Sequence, residues 1–193
     1  MNVDALGRAR PRLPLLSFLA LAALFAGPVL THEAVFGSSV GLIAAGSGVA
    51  VGLLIAAAST RWSWDTLSTF AALLVAYFLL GGPIALPSTV RWGVVPTTDT
   101  LLTLVRGSVS SWKDLLTLTP PAASYVGPAL VPWIMGLLCA LIAGLVSVRW
   151  GRPLLGIIPV AVMGVVGLAF GLSGVVPPVW PFMVWFAGAF LWL

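Results

Sequence analysis

Charged side chains are scarce in this chain of 193 residues. They make up 7% of it, whereas hydrophobic residues make up 60%. Soluble domains average about 25% charged and about 45–50% apolar residues. A water-soluble core of this length cannot bury so much apolar surface, so the surrounding solvent must be lipid. The composition therefore excludes the soluble class and predicts an all-α integral membrane protein.

Cysteine and histidine each occur once, as Cys139 and His32. A single cysteine excludes an intrachain disulfide framework and a multi-cysteine metal site. Cys139 lies in an apolar run without the nearby histidine and acid that a catalytic cysteine needs, so we interpret it as a packing residue. His32 and Glu33 fall short of the ligand count of a closed metal site, and we interpret them as a solvated loop. The sequence thus predicts no catalytic residue, no cofactor and no bound metal.

Six apolar runs are long enough to be read as membrane spans. They cover about residues 13–30, 38–59, 64–82, 129–148, 153–172 and 178–193. The last run would make a helix of only about 24 Å, less than the roughly 30 Å of a hydrocarbon core. Two interpretations stay open for it: a tilted or re-entrant terminal helix, or the front part of a longer protein. We favour the second, with residues 1–193 forming one transmembrane domain.

The positions of the basic residues indicate how the chain is oriented across the membrane. The chain holds nine Lys and Arg against five Asp and Glu, scattered between the apolar runs rather than gathered in a nucleic-acid-binding patch. The short connections 60–63 and 149–152 carry three arginines, whereas 31–37 and 173–177 carry none. Positive residues favour the cytoplasmic side. This pattern predicts a multi-pass protein of the bacterial plasma membrane, with both chain ends in the cytoplasm.

Small residues line the predicted spans, where transporters and pumps commonly carry charges. No ionisable residue is expected at mid-membrane depth, which argues against a proton relay or an ion pathway. Stripes of Gly and Ala predict close packing between helices within the bundle, with dimerisation as the alternative. Pro159 predicts a local kink in the fifth span. The stripes are Ala44, Gly48, Gly52 and Ala56; Gly136, Ala140 and Gly144; and Gly167 with Gly171.

The outer loop between the third and fourth spans, residues 83–128, contains an amphipathic helix at about residues 99–118. Its apolar positions fall within one arc of about 160° when successive residues turn by 100°. Thr97, Thr98 and Asp99 are candidates for its N-cap. We expect this helix to lie on the outer membrane surface or to cap the bundle; gating of a substrate is a further possible role.

The same loop carries a resemblance to a family. The residues concerned are Pro96-Thr97-Thr98, Leu102, Gly107, Ser111-Trp112-Lys113-Asp114-Leu115-Leu116-Thr117, Pro120-Pro121 and Leu130-Val131-Pro132-Trp133. This stretch resembles the N-terminal membrane region of actinobacterial transglutaminase-like membrane proteins. The resemblance implies a multi-helix region followed by an extracytoplasmic domain with a Cys-His-Asp triad. No triad position exists in this chain, and Cys139 does not match the nucleophile.

Two functions of different classes follow. The first is a non-catalytic membrane anchor that positions an extracytoplasmic transglutaminase-like domain, with the lipid bilayer and other envelope membrane proteins as partners. The alternative is a small transporter or permease subunit for an apolar or zwitterionic solute. An intramembrane enzyme is the weakest hypothesis, because the sequence offers neither a nucleophile–base pair nor a set of metal ligands.

Overall fold

The computed structural model describes residues 14–117, 125, 127–171 and 188. Helices account for most of these residues, and the described part contains no β-strand beyond an isolated β-bridge. The helices are α1 Pro14–Phe36, α2 Ser39–Arg61, α3 Thr66–Ala85, α4 Thr98–Thr117, α5 Leu130–Gly144 and α6 Pro153–Gly171. A π-helical turn, Leu145–Arg149, extends α5. The predicted last span at 178–193 lies outside the described residues, apart from position 188.

Five of these helices are long and apolar enough to cross a membrane. They are α1, α2, α3, α6 and the continuous helix formed by α5 and the π-helical turn. Helix α4 differs, because polar and charged residues occupy one side of it. The chain thus has the all-helical architecture of a multi-pass membrane protein, and the prediction of an all-α fold is confirmed.

Alternating helix directions give the bundle two distinct ends. At one end, which we call the loop end, α1 turns into α2 at Gly37 and Ser38, and residues 86–97 connect α3 to α4. At the opposite end, which we call the arginine end, α2 finishes at Arg61 and the π-helical turn finishes at Arg149. The side chains of Ser59, Thr69 and Arg149 meet there, which fixes the ends of α2, α3 and α5 together.

Helix α1 is longer than the predicted first span. The apolar run suggested an end near residue 30, but α1 continues to Phe36. His32 lies in its last turns and is 2% exposed, so the interpretation of His32 as a loop residue was wrong; Glu33 on the same turn is exposed. In this part of the helix Thr31 donates to the Pro28 carbonyl and packs, with His32, against Gly167 of α6.

Backbones of α2 and α5 approach each other closely at the centre of the bundle. A Cβ atom at Gly48 would lie 2.6 Å from the Trp133 carbonyl oxygen, and one at Gly136 would lie 2.5 Å from the Ala45 carbonyl oxygen. Gly52 would similarly meet the carbonyl oxygen of Leu137 at 2.5 Å. Real Cβ atoms do not approach so near, so these positions require glycine. The predicted use of the stripes on α2 and α5 for packing within the bundle is confirmed.

Candidate functional site

Helix α4 is fixed to α3 by a tyrosine. The Tyr77 hydroxyl donates to the Leu104 carbonyl oxygen at 2.9 Å, and it lies 2.8 Å from the Ser108 hydroxyl. Tyr77 and the Leu104 side chain are both buried. Since the hydroxyl extends from a membrane helix to the backbone of α4, this contact sets where α4 sits on the bundle.

Small residues let α4 approach the bundle closely. Leu104 packs against Gly81 of α3 beside the buried ring of Trp133. Gly107 of α4 packs in turn against the Leu130 side chain at the start of α5. Glycine therefore serves on both sides of the contact, and α4 is packed onto the bundle at two levels.

The N-terminus of α4 is capped by reciprocal hydrogen bonds between Thr97 and Thr100. The Thr100 amide donates to the Thr97 hydroxyl at 3.2 Å, and the Thr97 amide donates to the Thr100 hydroxyl at 3.1 Å. This is the capping-box pattern, with a threonine in the place of the usual Glu or Gln. Both hydroxyls also donate to the Thr89 carbonyl oxygen, at 3.0 and 2.7 Å. The loop before α4 is thereby bound to the first turn of the helix, and the prediction of an N-cap at residues 97–99 is confirmed at Thr97.

Three different faces run along α4. The face toward the bundle holds Thr100, Leu104, Gly107, Ser111 and Leu115. An exposed apolar face holds Leu101, Leu102, Val105, Val109 and Leu116. An exposed polar face holds Arg106, Ser110, Lys113, Asp114 and Thr117. With about 100° per residue, the faces follow one another around the helix, each covering roughly a third of it. The apolar arc predicted from the sequence therefore points mostly away from the bundle: Leu104 and Leu115 at one edge of the arc are buried, whereas Val109, near the opposite edge, is 80% exposed.

A buried polar group lies at the loop end between α1 and α6. His32 Nδ1 lies 3.0 Å from the Pro28 carbonyl oxygen. Because a carbonyl oxygen only accepts, Nδ1 carries the proton in this contact, and the neutral ring presents a lone pair at Nε2. Nε2 is buried without a hydrogen-bond partner among the described residues. The sequence interpretation missed this group, because hydropathy alone ended the span before His32.

Polar residues also connect the helices at the arginine end. Arg149 donates to the Ser59 hydroxyl at 2.7 Å, and Ser59 lies 2.8 Å from the Thr69 hydroxyl. Thr69 donates to the Asp65 carbonyl oxygen at 2.9 Å, so Ser59 is the donor to Thr69. Exposed Trp62 and Trp150 flank this chain of bonds, as interface anchors do.

The remaining candidate residues do not form a reactive centre with one another. Cys139 is buried in α5, where it packs in the apolar core. Lys113 and Asp114 lie on the exposed polar face of α4. Among the residues that the structure describes, no three His, Cys, Asp or Glu side chains are grouped so that they could hold a metal ion.

Comparison with known proteins yields no relative. No family model matches the chain, and neither the curated proteins nor the solved structures give a match. The architecture thus identifies a class, the multi-pass helical membrane proteins, without a family. The resemblance to transglutaminase-like membrane proteins stays a prediction from residues 96–133.

Proposed function

We propose that this chain is a non-catalytic membrane anchor of a transglutaminase-like envelope protein, and that α4 serves as its external platform. The observation that carries the proposal is the fixed polar face of α4. Tyr77, Leu104 and Gly107 immobilise the helix, while Arg106, Ser110 and Lys113 stay exposed. A rigid polar surface of this kind suits the positioning of a second domain.

The three faces of α4 support a place at the outer membrane surface. A helix at that surface has protein on one side, acyl chains on another and water on the third. A helix wholly in water would not expose Val105, Val109 and Leu116 along one side, and a membrane-spanning helix would not carry Arg106 and Lys113. The arginines at the opposite end of the bundle favour the cytoplasm for that end.

Site-specific photocross-linking tests the anchor role. A photoreactive side chain at Ser110, on the polar face of α4, should cross-link in native membranes to a segment with transglutaminase-like sequence. A matched photoreactive side chain at Ser63, exposed at the arginine end, should give no such product. Equal cross-linking to that segment from both positions, or none from Ser110, would contradict the proposal.

One observation favours the alternative of a small transporter or permease subunit. His32 is an ionisable side chain in the last turns of a membrane helix, with a buried and unpaired Nε2 among the described residues. Such groups often mark substrate or proton pathways. Proteoliposomes containing only this chain would then take up an apolar or zwitterionic solute, and His32→Ala would abolish the uptake while Glu33→Gln, on the same turn, would not. Vesicles without any uptake would favour the anchor.

A further inference from the structure

A tight hairpin projects from the loop between α3 and α4. The Arg91 amide donates to the Val95 carbonyl oxygen at 2.8 Å, and the Val95 amide donates back to the Arg91 carbonyl oxygen at 3.0 Å. Trp92 and Gly93 both have positive φ, 54° and 75°. A left-handed backbone is ordinary for glycine and rare for a bulky residue such as tryptophan. The hairpin therefore holds Trp92 in a conformation that an unconstrained loop would avoid.

The base of the hairpin is fixed to the bundle. Val90 and Pro96 pack against Gly82 in the last turn of α3. The Thr89 carbonyl oxygen accepts from Thr97 and Thr100, which joins the base to the start of α4. Because both strands of the base are held, the tip has a defined position relative to the membrane helices.

The tip itself contacts little of the described chain. Trp92 is 85% exposed and Val94 is 67% exposed. The Arg91 guanidinium carbon lies 5.5 Å from the centroid of the Trp92 ring, within the range of a cation–π contact. A large aromatic ring, two valines and an arginine are thus presented together on a fixed support.

The length of α3 places this tip at the membrane surface. Helix α3 has 20 residues, which give about 30 Å, the thickness of the hydrocarbon core. The hairpin begins four residues after Ala85, so with α3 spanning the membrane we expect its base at the edge of the hydrocarbon and its tip in the layer of headgroups. Tryptophan and arginine are the residues that favour this layer, through an amphipathic ring and a cation that pairs with phosphate.

We propose that the 89–97 hairpin is a lipid-contacting finger: Trp92 and Val94 enter the headgroup layer of the membrane, and Arg91 pairs with lipid phosphate. The occupant is lipid, because the tip follows the end of a helix as long as the hydrocarbon core is thick and presents exposed Trp92 and Val94 beside Arg91, a combination suited to the headgroup layer. This inference rests on the placement of α4 at the outer membrane surface, and it adds a second point of membrane contact on the same side of the bundle.

Nitroxide accessibility tests the finger in the full chain. With Cys139→Ala as background, single cysteines at Val94, Val109 and Ser110 are spin-labelled, and the protein is reconstituted in phosphatidylcholine–phosphatidylglycerol vesicles. Labels at Val94 and Val109 should collide more often with oxygen, which concentrates in lipid, than with a water-soluble nickel complex. The label at Ser110, on the polar face of α4, should show the reverse ratio. Adding Trp92→Ser should shift the Val94 label toward water and leave the Val109 label unchanged.

The possible results distinguish failure of the finger proposal from failure of the proposed placement of α4 at the outer membrane surface. A Val94 label as accessible to nickel as the Ser110 label would overturn the finger, while a lipid-exposed Val109 label would still support the position of α4. A Val94 label shielded from both reagents would mean that protein covers the tip, which also overturns the proposal. Nickel access at both Val94 and Val109 would overturn the placement of α4 itself.

Discussion

The contact between α2 and α5 differs from the contact between α3 and α4. The first is made by backbones at glycines: Gly48 and Gly136 face carbonyl oxygens of the opposite helix. The side-chain hydrogen bond from Arg149 to Ser59 lies outside this contact, where the π-helical turn meets the end of α2. The second joins Tyr77 to the backbone of α4, with Ser108 beside it.

The difference reflects the surroundings of each contact. Inside the hydrocarbon, lipid tails are as apolar as leucine, so close packing is what favours association of α2 with α5. Helix α4 carries charges and lies toward one end of the bundle, where hydrogen bonds and side-chain packing direct it onto α3. The α2–α5 contact is therefore expected to tolerate loss of a hydroxyl better than gain of a methyl group, whereas the attachment of α4 is expected to depend on the Tyr77 hydroxyl.

The largest effect is expected from Gly48→Ala. Its methyl group would lie 2.6 Å from the Trp133 carbonyl oxygen, so two helices must separate. We expect a loss of about 3 kcal/mol, at the upper end of the usual effect of overpacking. Gly46→Ala is the matched control on the same helix, because its nearest neighbour would be Val29 at 3.7 Å. Unfolding titrations in mixed detergent micelles measure both, and equal midpoints would show that the α2–α5 contact is not tight.

Ser59→Ala tests the hydrogen bonds at the arginine end. It leaves Arg149 and Thr69 without their shared partner, and Ser59 is fully buried. The expected loss is about 1.5 kcal/mol, because the bond involves a charged donor whose residue is partly reached by water. Ser110→Ala, on the exposed face of α4, is the control and should change the unfolding midpoint little. A similar small change for both variants would argue that water replaces this network freely.

Tyr77→Phe loosens α4 and leaves the membrane helices in place. It removes the hydroxyl that donates to the Leu104 carbonyl oxygen, a loss of about 1 kcal/mol. Hydrogen exchange should speed up in α4 by roughly fivefold, since 1.4 kcal/mol corresponds to tenfold, while exchange in α2 and α5 stays the same. The chain's second tyrosine supplies the control, because Tyr125 is exposed and Tyr125→Phe should have no effect. Exchange that speeds up equally in α2 would contradict an independent attachment of α4.

The smallest effect is expected in the pH dependence of stability, through the Asp65 cap at the start of α3. The carboxylate of Asp65 caps the helix, and hydrogen bonds from the Ser68 side chain and amide lower its pKa from the ordinary value. Because the pKa of Asp65 is lower in the folded chain, the cap stabilises the fold at neutral pH. This stabilisation is lost as pH falls through the folded-state pKa, which lies below the ordinary value of about 4. Unfolding midpoints should therefore drop slightly more between pH 6 and pH 3 in the native chain than in Asp65→Asn. Identical pH profiles would show that the cap contributes nothing.

Hydropathy predicted the helical fold and the positions of five long apolar helices, because a membrane span needs little more than length and apolarity. It failed at His32, since the burial of this polar residue depends on packing against Gly167, a residue 135 positions away. The amphipathic pattern predicted the extent of α4, apart from residue 118, which lies outside the described residues. The pattern did not reveal which arc of α4 meets the bundle, because that arc uses Thr100, Gly107 and Ser111 rather than its most apolar residues.

The sidedness of the bundle is the central claim, and cysteine labelling tests it most directly. Ser110→Cys in α4 and Ser63→Cys at the arginine end, each in a Cys139→Ala background, are treated with a membrane-impermeant maleimide in spheroplasts and after lysis. Both positions are exposed serines in the structure, so access to reagent depends on the side of the membrane. We predict that the cysteine at 110 is labelled in intact spheroplasts and the cysteine at 63 only after lysis. The reverse pattern would contradict an external α4.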